Sequence, residues 1–126
     1  MIASKPQKTN VSYYSRPSVF SNTMHENERF DVYDEMFTDK QEGFVKLEGD
    51  TFTPDWTGLM KVSGFCRVKY APNVLAVSIG NLFVAETDSR VVTFTATLPA
   101  QPVKIGVTQD LQANFVMCNL LFEAVK

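Results

Sequence analysis

A single histidine and two widely spaced cysteines leave these 126 residues little material for metal or nucleophilic chemistry. Neither Cys66 nor Cys118 belongs to a Cys-x-x-Cys pair, and no cluster with zinc-ligand spacing occurs. His25 lies in the polar run SNTMHENER, where a solvated side chain is expected and a general base is not. There is no glycine-rich phosphate loop and no D-x-D-x-D-G calcium loop. The paired carboxylates Asp34/Glu35 and Glu48/Asp50 are of a kind common in turns, too weak a basis for glycosidase chemistry. No catalytic residue, cofactor or metal is therefore expected. No apolar run approaches the roughly 18 residues that span a bilayer. The N-terminal MIASKPQKTNVSYYSRPSVF has no apolar segment of the secretory kind, so synthesis and folding in a cytoplasm are expected.

Charge is small in sum and uneven in place. The net value is −2, which points to no nucleic-acid partner, yet residues 1–25 carry +3, residues 26–55 carry −7 and residues 56–126 carry +2. The acidic middle reads as solvated loops and sheet edges. Residues 1–29 differ from the remainder in composition, with apolar side chains scattered rather than periodic. Aromatic rings are costly to leave in water, so this segment reads as an extended N-terminal arm. Lys5, Lys8, Tyr13, Tyr14, Arg16 and Phe20 are its candidate contacts with a partner surface, and packing on its own domain is the alternative.

Residues 30–126 form the second unit, and period-two alternation fills it. FDVYDEMF (30–37), GFVKLEGD (43–50), LMKVSGFCRVKY (59–70), RVVTFTATL (90–98), PVKIGVT (102–108) and ANFVMCNLLFEAV (113–125) each read as strands. VLAVSIGNLFVAE (74–86) reads as a hairpin turning at Gly80-Asn81, where glycine supplies the positive φ of a type II′ turn. No 3.6-residue periodicity with caps is sustained anywhere, so no helix is expected. About seven or eight strands with turns every 8–12 residues predict an all-β antiparallel β-sandwich or barrel.

Two strands are apolar on both faces. Over 59–70, Met60, Val62, Cys66, Val68 and Tyr70 share one face, and Leu59, Lys61, Ser63, Phe65, Arg67 and Lys69 share the other. Over 113–125, Val116, Cys118, Leu120, Phe122 and Ala124 oppose Phe115, Met117, Asn119, Leu121 and Glu123. A monomeric antiparallel sandwich solvates one face of each sheet. Burying one Phe, Leu or Met contributes about 1.5–3 kcal/mol, so Leu59, Phe65, Phe115, Met117 and Leu121 are the expected contact between copies of this chain. Cys66 and Cys118 read as small buried thiols, with a bridge between them as the less favoured alternative. Lys61, Phe65, Arg67 and Lys69 form a basic–aromatic stripe that supports a weaker reading as a single-stranded nucleic-acid surface.

The segment FTPDWTGLMKV (52–62) resembles a signature of the tumour-necrosis-factor and complement-globular-head jelly rolls, versions of which occur in bacteriophage fibre and virion-surface domains. Phe52, Thr53, Pro54 and Gly58 match it, Val62 fits the following apolar position, and Met60 stands where Tyr or Phe is usual. FDVYD (30–34) is similar to the strand that precedes the motif, IGNLFV (79–84) to its hairpin and ANFVMCNLLFEAV to its closing strand. The resemblance implies a jelly roll assembled as a threefold homotrimer through its inner-sheet strands, with Trp56 as a lid on one end of the core. It also implies a non-enzymatic bacteriophage virion-surface protein that decorates or cements a capsid. The arm would dock on the major capsid protein or another virion protein. A receptor- or glycan-binding fibre tip, using Trp56 and the acids of 26–55, is the alternative.

Overall fold

The computed structural model describes residues 10–18, 23–111 and 113–126. Their strands, in chain order, are β1 (Val11–Arg16), β2 (Thr23–Met24), β3 (Phe30–Asp31), β4 (Asp39–Gln41), β5 (Val45–Glu48), β6 (Thr51–Pro54), β7 (Leu59–Val68), β8 (Leu75–Ile79), β9 (Leu82–Thr87), β10 (Val91–Pro99), β11 (Ile105–Gln109) and β12 (Ala113–Val125). One sheet runs β10-β7-β12-β1-β4, with β2 added at the start of β12, and the other runs β3-β11-β8-β9. All pairings are antiparallel. The β5–β6 ribbon is tied in by reciprocal backbone bonds between Phe52 and Val103. No α-helix occurs among the described residues. The all-β sandwich expected from the alternation is the fold.

Alternation decides which side chains fill the space between the sheets. Met60, Val62, Cys66 and Val68 of β7 are buried, as are Val92, Phe94 and Leu98 of β10 and Ile105 and Val107 of β11. Aromatic rings form the centre: Phe52 lies 4.7 Å from Tyr14, 5.0 Å from Phe122 and 5.2 Å from Tyr33. The Tyr14 hydroxyl donates to the Val45 carbonyl at 2.6 Å. Burial raises its pKa well above the ordinary phenol value, and the nearby Glu42 carboxylate adds to that rise. The hairpin at Gly80-Asn81 has the expected turn chemistry, since Gly80 has φ 60° and Asn81 keeps a negative φ. Trp56 packs on the end of the core and donates its indole N–H to the Leu59 carbonyl at 2.8 Å. Its ring lies over Gly58, where a Cβ would stand 2.8 Å from it.

Four local expectations are corrected. The 30–37 strand stops at Asp31, because the Asp34 carboxylate accepts the Met36 N–H at 2.9 Å and starts a 3-10 turn over Glu35–Phe37. Tyr14 and Arg16, read as arm contacts, lie on β1 and point into this chain's own core, where Tyr14 is inaccessible and Arg16 is 3% exposed. The guanidinium of Arg16 donates to the Val32 carbonyl at 2.6 Å and lies 5.4–5.6 Å from the rings of Phe30, Phe37 and Phe115. Burial lowers its pKa, while Asp34 works against that shift.

The third correction concerns β12, where a bulge between Phe115 and Met117 shifts the register. Phe115 therefore turns into the core and Val116 does not. The fourth concerns the cysteines, which face each other across β7 and β12 and are joined as a disulfide. Directly opposite positions in an antiparallel ladder bring Cα atoms within about 4.5–5.5 Å, a proximity that sequence separation hides.

Candidate functional site

The face of the β10-β7-β12-β1-β4 sheet that points away from the core is built by the ladder registers. Its middle row reads Thr95, Ser63, Leu121, Tyr13, Gln41. One row up it reads Thr93, Phe65, Asn119, Ser15, Asp39, with the Ser15 hydroxyl donating to the Asn119 side-chain oxygen at 2.8 Å. One row down it reads Thr97, Lys61, Glu123, Val11. Arg67 and Met117 continue it at one end, and Leu59 and Val125 at the other. Most of these positions are polar, as on a solvated sheet, but Phe65, Met117, Leu121 and Tyr13 form a contiguous apolar cluster among them, with Leu59, Val11 and Val125 exposed at one end.

Four of the five residues expected at the subunit contact, Leu59, Phe65, Met117 and Leu121, meet on this face. Phe115 does not; it is fully buried, 5.3 Å from Phe30. Tyr13, expected in the arm, joins the face instead. Lys5, Lys8 and Phe20 lie outside the described residues. Val11 and Val125 were not foreseen. The inward face of VSYYSR consists of Ser12, Tyr14 and Arg16, so hydrophobic alternation is nearly silent there. Ser12 is buried because its hydroxyl accepts the Gly43 and Val45 N–H groups at 2.8 and 3.0 Å.

Among the described residues, no group of three or more His, Cys, Asp or Glu side chains could hold a metal ion, and no helix is long and apolar enough to cross a membrane. His25 is exposed. On the opposite sheet, Phe83, 68% exposed, lines a groove of about 320 Å³ with Asn27, Glu86 and Asp110. The Asp110 carboxyl is held below the usual carboxylate range, chiefly by the Val74 N–H.

Comparison with solved structures fixes the architecture. The PRD1 vertex protein P5 superposes with a TM-score of 0.73 over 94% of this chain and 99% of its own, at 10% identity. The fold is a tumour-necrosis-factor-like jelly roll. Murine APRIL, solved at pH 8.0 and at pH 8.5, gives TM-scores of 0.58 and 0.56 over 88% and 90% of this chain, at 8% identity in both cases. No family model matches the chain, and no curated protein matches it in sequence. The jelly roll expected from FTPDWTGLMKV is thus the fold found, and identities this low speak to fold alone.

Proposed function

We propose that the protein is a non-enzymatic virion structural protein, a homotrimeric jelly roll on the surface of a bacteriophage particle. The observation that carries this reading is the apolar cluster of Phe65, Met117, Leu121 and Tyr13, flanked by Leu59, Val11 and Val125, on the outer face of the β10-β7-β12-β1-β4 sheet, which a lone subunit leaves partly in water. Folds of the tumour-necrosis-factor type usually trimerise, and the likeness to a phage vertex protein supports a virion role. β1 is fixed in the sheet, so docking on the capsid falls to the basic residues ahead of it, Lys5 and Lys8. They suit an acidic surface on the major capsid protein or another virion protein.

Removal of residues 2–9 tests this division of labour. The shortened chain is expected to keep the native mass of the full chain, while its incorporation into particles, read by antibody labelling of purified virions, is lost. Unchanged incorporation would contradict the arm as anchor. Absence of the full chain from virions would contradict the virion role.

A second reading has its own observation. The groove beside Phe83 brings an exposed ring next to Asn27, Glu86 and Asp110, the combination a sugar-binding fibre tip would use.

A further inference from the structure

On the outer face of the β3-β11-β8-β9 sheet, the ladder registers build the groove beside Phe83 from small residues with larger ones around them. Thr108 pairs with Ala76 and Ala76 with Glu86, so one row runs Thr108, Ala76, Glu86. The next row runs Gly106, Ser78, Phe83. Ala76 and Thr108 are the floor, and Phe83 and Glu86 rise from β9 as one wall. Asn27 is the other wall, held by its backbone N–H, which donates to the Gln109 carbonyl at 2.7 Å. Val74 and Asp110 close one end. Two strand spacings separate β11 from β9, about 10 Å, which is room for one side chain or one small headgroup.

Negative charge in this groove is not compensated. Among the described residues, Glu86 and Asp110 line it and no Lys, Arg or His does. Neither acid takes part in the ion pairs Arg29–Asp31, Lys40–Glu42 or Lys104–Asp50. The exposed Glu26 and Glu28 flank Asn27. Asp110 is fixed in place, its Oδ1 accepting the Asn73 and Val74 N–H groups, each at 3.0 Å. Arg29, which lies across the Gly106–Ser78 row, is engaged elsewhere. Its Nε meets Asp31 at 2.8 Å, and its other nitrogens donate to the Ser78 hydroxyl and to the carbonyls of Gly80 and Lys104. Gln109 also lines the groove, with its side-chain amide buried and neither the oxygen nor the nitrogen hydrogen-bonded. A buried amide without partners is costly, so the groove keeps unused hydrogen-bonding capacity as well as unmatched charge.

We infer that this groove binds an organic cation, an alkylammonium group seated against the Phe83 ring with Glu86 and Asp110 about it. The face of an aromatic ring attracts a cation within about 6 Å of its centroid, and carboxylates beside the ring add to that attraction. Phe83 is 68% exposed, so its face is open to such a ligand. A neutral sugar would use the ring and leave both carboxylate charges unmatched. The groove lies on the sheet opposite the proposed subunit contact, so the inference does not depend on trimerisation. It replaces the neutral sugar of the second reading with a charged ligand. A lysine side chain of another protein and a quaternary ammonium headgroup both present this chemistry.

Titration of the isotope-labelled chain, followed by NMR through the amide shifts of Ala76, Glu86 and Thr108, tests the inference. Tetramethylammonium and N-acetyl-lysine methylamide are the cationic probes. Their uncharged counterparts are tert-butanol and N-acetyl-norleucine methylamide, and methyl glucoside is the neutral sugar. A cationic probe is expected to give saturable shifts and to bind about fivefold or more tightly than its counterpart. The cation that binds more tightly identifies the source, a partner's lysine or a quaternary headgroup. Phe83→Ala and Glu86→Gln are each expected to weaken that binding about threefold or more. Both side chains are exposed, so circular dichroism melts of the two variants should match the parent. Equal binding of charged and uncharged probes, tighter binding of methyl glucoside, or no saturable shift from any probe up to about 0.1 M overturns the inference. Cation binding that neither variant weakens overturns the placement at Phe83. All of these results leave the contact face of the other sheet untouched.

Discussion

Leu121→Asp is expected to convert the protein into folded monomers. Leu121 sits in the middle row of the open face between Ser63 and Tyr13, with Phe65 and Met117 in the neighbouring rows. Replacing it removes about 1.5–3 kcal/mol of burial from each subunit. It also places an unpaired carboxylate in an apolar contact, which costs several kcal/mol more. Together these exceed about 4 kcal/mol per contact, roughly a thousandfold in association. Leu121 is already half-buried within its own subunit, so the monomer should remain folded but lose about 1 kcal/mol of stability. Sedimentation velocity reads the first outcome and urea unfolding the second. A variant that keeps the wild-type mass would show that subunits do not meet on this face.

Gly64→Ala is expected to destabilise the fold itself by about 3 kcal/mol or more. Gly64 faces the core on β7 opposite Leu120 and Phe94, where β7, β12 and β10 pack side by side. A Cβ there would fall on the backbone carbonyl of Asn119, with the Leu120 Cα only 3.2 Å away. Both obstacles are main chain, so relief requires opening the β7–β12 ladder that joins the two halves of the sheet. The requirement is one of space, since Gly64 has no positive φ. Urea unfolding of the variant measures the loss, and a change below about 1 kcal/mol would contradict so close an approach of the two strands.

Most strands between residues 43 and 125 were legible because their buried faces are apolar and alternate over several residues. Val45 and Leu47, Met60 and Val62, and Ile105 and Val107 all point where period two puts them. The shared placement of Leu59, Phe65, Met117 and Leu121 was legible for a related reason, since simple alternation puts all four on the outward side of β7 and β12.

What was not legible depended on interactions outside any pattern of hydrophobicity. β1 buries a serine, a tyrosine and an arginine, each made acceptable by a specific partner: the Gly43 and Val45 amides, the Val45 carbonyl, and the Val32 carbonyl with three aromatic rings. One extra residue at Val116 reverses the face of Phe115, and a bulge has no compositional mark. The Cys66–Cys118 bridge depends on β7 and β12 being neighbours in one exact register, 52 residues apart in the chain. Asp34 ends β3 by capping a turn, a competition between side chain and ladder that an alternating FDVYDEMF does not reveal.

On the proposed reading, other copies of this chain cover the open face of the β10-β7-β12-β1-β4 sheet. Light scattering on the purified chain after size-exclusion chromatography should then give a single species at three times the 14.2 kDa of one chain, unchanged on dilution through the micromolar range. A species at 14.2 kDa across that range would contradict it.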